Sequence, residues 1–163
     1  MKVDGMVIMK RLAVLAILSA LFASAAGDPS GFAIWTASAL HARSGQLSQR
    51  MDSDKAASET LADFGNHRMM LAHREASGAA EVHEKMADIL IVEDGDATLV
   101  VGGEMVAARA TAPGEVRGTA IDGGERHRLA AGDLVHIPAG VPHRLLLDPG
   151  HRITYLVAKV ESR

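Results

Sequence analysis

The chain has 163 residues, of which 48% are hydrophobic and 3% aromatic, and its formal net charge is −3. This length supports one hydrophobic core but not comfortably two domains. Because the net charge is weakly acidic and the Lys and Arg residues are scattered, we expect no nucleic-acid partner. The sequence has no cysteine, so disulfides and thiolate ligands are excluded. Any metal site must be built from histidines and carboxylates.

The N-terminus has the pattern of an export signal. A Lys-Arg pair precedes an apolar run over Leu12–Leu21, and Ala23-Ser24-Ala25 matches the A-x-A cleavage pattern. We predict a cleavable signal peptide over residues 1–25, a mature start at Ala26 and a periplasmic or secreted location. The alternative is an uncleaved anchor, but the apolar run is shorter than the ~20 residues of a spanning helix. We therefore expect no stable membrane span.

Residues 26–64 are predicted to form an N-terminal extension that wraps around the following domain. Leu40, Leu47 and Met51 have the spacing of a short amphipathic helix. The alternation of polar and apolar residues from Glu59 to Phe64 would instead suit an edge strand, and the sequence leaves both interpretations open.

Residues 65–163 have the pattern of a β domain. Short β-branched segments alternate with Gly and Pro turns, which is typical of an all-β sandwich or barrel. The Asp94-Gly95 pair predicts a type I′ hairpin turn, after which Ala97–Val101 would run back along Ile89–Val92. Further strands are predicted over residues 68–75, 105–108, 134–137, 144–147 and 153–160.

Four possible metal ligands fall on three predicted strands. Glu81 and His83 are two residues apart, so their side chains share one face of a strand. A second strand with Asp88 and a third with His143 could bring four nitrogen and oxygen donors to one point. Such donors suit a first-row divalent metal.

Around His143 the chain resembles the cupin superfamily. The second cupin motif, G-x5-P-x-G-x2-H-x3-N, matches from Gly132 through Pro138 and Gly140 to His143. The sequence departs from the motif only at its last position, where Leu147 replaces Asn.

The first cupin motif, G-x5-H-x-H-x3,4-E-x6-G, is matched in part. His83 and Gly95 match, and Asp88 stands in place of Glu. The first His is replaced by Glu81, and Gly78 lies too close to it. The two motifs occur in the usual order, and the resemblance covers residues 65–160.

The resemblance implies a small single-domain protein with a double-stranded β-helix, or jelly-roll, barrel over residues 65–163 and a short N-terminal extension. It also implies that Glu81, His83, Asp88 and His143 bind a divalent metal. Two carboxylates and two neutral imidazoles neutralise such an ion and favour Mn or Fe, with Zn as the alternative. If Glu81 is not a ligand, it could act as a general base beside a two-histidine, one-carboxylate triad.

The stretch over residues 109–126 contains four Gly residues and Pro113 and has no clear strand period. Loops of this length in a compact domain are usually functional or disordered. We interpret it as a solvated surface loop. The resemblance offers an alternative, in which Arg117 or Arg126 lies near the barrel mouth and meets an anionic substrate.

Apolar residues follow the predicted ligands on the same strand faces, as Leu90 follows Asp88 and Leu145 follows His143. Such walls favour a small organic ligand over a polysaccharide. We therefore expect an exported metalloenzyme of the oxygenase, lyase or isomerase type. The alternative is a non-catalytic cupin that binds a small ligand or metal.

Residues on both faces of Ile89–Val92 are apolar, which predicts a covered outer face, for example in a homodimer. We expect His73, His127 and His136 to be accommodated in the core or at the surface rather than to bind metal.

Overall fold

The structure, a computed structural model, describes residues 27–162. The predicted signal peptide and the predicted mature start at Ala26 lie outside these residues. Residues 27–32 belong to a first compact unit, in which the N–H of Phe32 donates to the carbonyl of Pro29 at 3.0 Å. The second unit begins at Ala33 and contains every element named below. No helix within the described part of the chain is long and apolar enough to span a membrane.

The described residues form one helix and a series of short strands. The helix α1 spans Ala37–Ser48. The strands are β1 Ala56–Asp63, β2 His67–Arg74, β3 Ala80–His83, β4 Met86–Val101, β5 Glu104–Val106, β6 Arg109–Ala112, β7 Glu115–Gly118, β8 Ala120–Asp122, β9 Glu125–Ala130, β10 Leu134–Ile137, β11 His143–Leu146 and β12 Ile153–Glu161.

The long strand β4 joins the two halves of a curled sheet. Its first part pairs with β12 and β10, and its last part pairs with β9 and β11. From β12 the sheet continues through β2 to β1, and from β11 it continues through β3 and β7 to β6. The core between the halves includes Leu90, Val92, Leu99, Leu145 and Val157. The predicted all-β class is confirmed.

The predicted hairpin at Asp94-Gly95 is wrong, because β4 continues through both residues. The register against β12 skips Glu93, which forms a bulge where the strand passes from one half of the sheet to the other. Gly95 has a φ of +80°, and a Cβ placed on it would lie 2.0 Å from the carbonyl oxygen of Arg152. Glycine is therefore required here by a close approach of two backbones, not by a chain reversal.

The interpretation of residues 109–126 as a surface loop is also wrong. β6 and β7 form a hairpin across Pro113-Gly114, β7 pairs with β3, and β8 pairs with β5. Strands of three or four residues contain too few alternations to give a period in the sequence, which explains why the pattern was not visible.

Both interpretations of residues 26–64 describe part of the structure. Thr36 caps α1, since its Oγ1 accepts a hydrogen bond from the N–H of Ala39 at 3.2 Å. Leu47 on this helix is 1% exposed, so α1 has one well-buried apolar contact. β1 follows as an edge strand against β2.

Candidate metal centre

Three neighbouring strands carry the predicted ligands. Glu81 and His83 lie on β3, Asp88 lies near the start of β4, and His143 opens β11 directly opposite Glu81. The turn before β11 is tied to β3, because the N–H of Gly140 donates to the carbonyl of His83 at 2.8 Å. The Pro-x-Gly turn of the second motif therefore fixes His143 relative to the first motif.

The four side chains converge on one buried point. His83 Nε2 lies 3.7 Å from Glu81 Oε2 and 3.3 Å from Asp88 Oδ2. His143 Nε2 lies 3.8 Å from Glu81 Oε1 and 3.7 Å from Asp88 Oδ2. Glu81, His83 and His143 each offer one donor atom, and these three atoms lie within 4.8 Å of one another. Such spacing allows a single ion to contact all three after small side-chain movements.

Hydrogen bonds fix the tautomers of both imidazoles. His83 Nδ1 lies 2.7 Å from Glu115 Oε2, and His143 Nδ1 lies 3.0 Å from the carbonyl oxygen of Val141. A carboxylate and a carbonyl can only accept, so each Nδ1 carries the hydrogen. In the neutral rings both Nε2 lone pairs then point at the centre. This arrangement is characteristic of histidines that bind metal ions. Two imidazole lone pairs directed at one point therefore fit a divalent ion.

Lys159, which the sequence analysis did not identify, lies at the same point. Its Nζ lies 2.8 Å and 3.0 Å from the two carboxylate oxygens of Asp88 and 2.7 Å from His83 Nε2. Its side chain is 13% exposed. The signal was present in the sequence, because Lys159 shares a strand face with Tyr155 and Val157, and a lysine among buried apolar residues is rarely unpaired.

Lys159 separates Asp88 from the other three predicted ligands. Asp88 is already paired with an ammonium group, whereas Glu81, His83 and His143 form the group that could accept an ion. Lys159 and a metal ion cannot both use the lone pair of His83 Nε2. Metal binding therefore requires the ammonium group to withdraw from His83, and it can remain on Asp88 when it does so.

Arg117 neutralises the other carboxylate. It lies on β7 opposite Glu81 on β3, and its guanidinium forms an ion pair with the Glu81 carboxylate. Arg117 therefore reaches the candidate centre, contrary to the surface-loop interpretation. Arg126 lies on β9 opposite Val100, and it is exposed.

Burial and charge set the protonation of the centre. Burial lowers the pKa of His143. Burial also lowers the pKa of His83, but the hydrogen bond that the protonated ring donates from Nε2 to Asp88 and the negative charge of Asp88 outweigh this effect, and the net pKa is raised. For Asp88, burial favours the neutral acid, but the hydrogen bond from protonated His83 and the charge of Lys159 prevail, and its pKa is lowered. Asp88 is therefore held as a carboxylate.

The centre opens into a cavity of about 220 Å³. Glu81, Asp88, His143, Arg117 and Lys159 border it on the polar side. Its other lining residues include the apolar or largely apolar side chains of Met70, Leu90, Leu145, Tyr155 and Val157. The apolar neighbours predicted for Asp88 and His143 are thus found here, in a space that suits a small molecule.

Of the other histidines, His73 borders the same cavity but is held by a hydrogen bond to a neighbouring strand. His73 is 3% exposed, and its Nδ1 lies 2.8 Å from Thr154 Oγ1. It is a hydrogen-bonded core histidine, as expected. His127 and His136 are exposed on β9 and β10.

No protein-family model matches the sequence, and no curated protein is similar to it. Solved structures are similar. The TT1209 protein of Thermus thermophilus is 18% identical, with 72% of this chain and 92% of that chain covered and a TM-score of 0.52. An uncharacterized conserved Klebsiella pneumoniae protein with a double-stranded beta-helix domain is 14% identical, with 68% and 80% covered and a TM-score of 0.50.

These similarities support the fold, and the ligand-bearing strands follow the order of the two motifs. The fold agrees with the resemblance of the two motifs to the cupin superfamily. The double-stranded β-helix that the resemblance implied is confirmed. A cupin-2 domain from Rhodospirillum rubrum is also similar, at 15% identity with 67% of this chain and 62% of that chain covered and a TM-score of 0.49.

Proposed function

We propose that the protein is an exported cupin that binds a divalent metal and acts on a small organic molecule. The observation that carries this proposal is the pair of Nε2 lone pairs, of His83 and His143, directed at the carboxylate of Glu81 in a buried pocket. Two imidazoles and a carboxylate favour Mn or Fe, with Zn as the alternative. Such an ion would supply Lewis-acid or redox chemistry in an oxygenase, lyase or isomerase.

The protein's own residues have separate roles in this proposal. Glu115 and the carbonyl of Val141 orient the two imidazoles. Arg117 holds the Glu81 carboxylate, so Glu81 serves better as a ligand than as a free general base. Asp88 and Lys159, which border the cavity, remain available to hold or move a proton at Lys159 Nζ.

One observation supports a second candidate, a non-catalytic cupin that binds a small ligand without metal. The ammonium of Lys159 already supplies a positive charge to His83 and Asp88. In this case Lys159 is the resident cation of the centre, and the pocket binds its ligand without chemistry at an ion.

Metal content distinguishes the two candidates. We expect protein purified from its own compartment to contain stoichiometric metal by elemental analysis, and His143→Ala to lose it. Turnover is then measured in the same preparations on small hydroxy, keto and phenolic compounds, with and without oxygen. Wild-type protein that is free of metal, and a Lys159→Met variant that acquires it, would support Lys159 as the resident cation and reject the metalloenzyme.

A further inference from the structure

A second, wider groove lies next to the barrel cavity and is rich in arginine. It has a volume of about 750 Å³. Its two acidic lining residues, Asp52 and Asp54, belong to one turn, and Asp52 Oδ1 already accepts hydrogen bonds from the N–H groups of Asp54 and Ala56. The cationic side chains along the groove are Lys55, Arg74, Arg109, Arg117 and Arg144. This local excess of positive charge contrasts with the net charge of −3 of the whole chain.

Two of these arginines meet at Gly78. Arg144 Nε donates to the carbonyl of Gly78 at 2.8 Å. The guanidinium of Arg74 packs over the same residue, since a Cβ placed on Gly78 would lie 3.2 Å from Arg74 Nη1. The loop between β2 and β3 therefore brings two guanidinium groups to Gly78, and the missing side chain of this residue leaves room for Arg74.

Neither guanidinium forms a direct ion pair in the described part of the chain, although Arg74 lies in the field of Glu81 and Asp52 and beside Tyr155. Within residues 27–162, the ion pairs of arginine and lysine involve Arg43, Arg50, Arg117, Arg128, Arg152 and Lys159, but not Arg74 or Arg144. Both side chains are only partly exposed. Two neighbouring positive charges with reduced solvation repel each other, and an oxyanion between them removes this cost. Guanidinium groups suit carboxylate and phosphate oxygens because they donate two parallel hydrogen bonds.

The groove is continuous with the candidate metal centre. Asp52, Ala56, Arg74 and Arg117 line both the groove and the barrel cavity. A molecule whose charged group lies on Arg74 and Arg144 would pass Arg117 and place its other end beside Glu81. The apolar walls of the inner cavity would then contact the uncharged part of the molecule.

We propose that Arg74 and Arg144 form a binding site for the oxyanion group of the substrate, which makes the substrate a small organic acid or phosphate ester. This inference rests on the proposed function only in assigning the bound molecule as a substrate. The anion site itself is independent of the metal.

Calorimetric titration of the mature protein tests the site with defined probes. Benzoate and phenyl phosphate are compared with benzyl alcohol, which has a similar ring but no charge, and with inorganic phosphate. We expect one of the anions to bind and benzyl alcohol to bind at least about tenfold more weakly, since hydrogen bonds to charged groups are the stronger kind. Whichever of benzoate and phenyl phosphate binds more tightly shows whether the site prefers a carboxylate or a phosphate.

Arg74→Gln and Arg144→Gln should each weaken anion binding by about tenfold or more. Arg152→Gln is the matched control, because Arg152 is exposed, pairs with Asp94 and does not line the groove; its anion affinity should equal that of the wild type. Arg144→Lys keeps the charge but not the two-pronged geometry, so its affinity should lie between those of wild type and Arg144→Gln. Circular dichroism confirms that each variant is folded.

Two results would overturn the inference. The first is that no anion saturates the wild-type protein, and the second is that Arg74→Gln and Arg144→Gln bind as tightly as Arg152→Gln. The same titration on His143→Ala separates this inference from the proposed function. Anion binding that persists while metal is lost supports an independent anion site, whereas normal metal content without anion binding rejects the site and leaves the metal proposal intact.

Discussion

Replacing Lys159 with methionine tests how the candidate centre is stabilised. The variant keeps the length of the side chain but removes the ammonium group that contacts both oxygens of Asp88 and Nε2 of His83. Asp88 is 5% exposed, so its charge would lose a close partner in a buried position. Removing one partner of a buried ion pair costs ~3–5 kcal/mol. Because Lys159 is partly exposed, we expect the free energy of unfolding of the metal-free variant to fall by about 3 kcal/mol.

The same substitution frees the lone pair of His83 Nε2, so a divalent ion should bind more tightly to the variant than to the wild type. At a concentration 100 times its dissociation constant, an ion that binds only the folded state stabilises it by about 2.7 kcal/mol. Urea unfolding of chelated and manganese-loaded protein measures both effects. Manganese should stabilise the variant by more than it stabilises the wild type.

A double variant provides the control. Lys159→Met combined with Asp88→Asn removes both charges, and the loss of both partners of a pair is much less costly than the loss of one. The double variant should therefore be more stable than the single Lys159→Met variant. If Lys159→Met unfolds at the wild-type urea concentration and gains no more from manganese than the wild type does, Lys159 neither balances Asp88 nor competes for His83.

Four further predictions follow from single contacts. Glu115→Gln should weaken metal binding by about 10- to 100-fold, because Glu115 fixes the tautomer of His83; competition with a fluorescent chelator measures this loss. The pKa of Asp88 is lowered by folding, so its carboxylate contributes to stability above the ordinary value of 3.8, and this contribution is lost as the pH falls through the folded-state pKa. The difference in free energy of unfolding between the wild type and Asp88→Asn, measured by urea titration, should therefore shrink as the pH falls. Gly95→Ala should destabilise the protein by more than about 1 kcal/mol in thermal melts, and by more than Gly150→Ala, because Gly150 has a similar φ and no neighbour within 4 Å. Intact mass of exported protein should correspond to a chain that begins at Ala26, and a full-length membrane-bound product would contradict the predicted signal peptide.

The local spacing of residues predicted much of the fold. The segment from Gly132 to His143 forms β10, a turn and the start of β11, because a Pro-x-Gly turn has a strong local preference. At Asp94-Gly95 the local preference for a hairpin turn is not realised. An Asp-Gly pair also suits a bulge, and the choice between turn and bulge was made by β12 and Arg152, which lie far along the chain.

The candidate site shows the same division between local and distant information. Glu81 and His83 share a strand face, and their convergence follows from strand geometry. The contacts of His83 with Glu115 and of Asp88 with Lys159 join residues 32 and 71 positions apart. These contacts depend on how β3 is aligned with β7 and β4 with β12. The sequence pattern does not reveal that alignment when the strands are short or apolar on both faces.

These distant contacts change the charge argument that the sequence suggested. From the sequence alone, Glu81 and Asp88 neutralise a divalent ion. In the structure each of these carboxylates already faces a cation, Arg117 for Glu81 and Lys159 for Asp88. Glu115 supplies one further negative charge beside His83. A divalent ion would therefore leave the centre with an excess positive charge and would be a stronger Lewis acid than the quartet implied. A singly charged anion would neutralise this excess, which agrees with the proposed anion site at Arg74 and Arg144, two arginines of the adjoining groove that form no direct ion pair within residues 27–162.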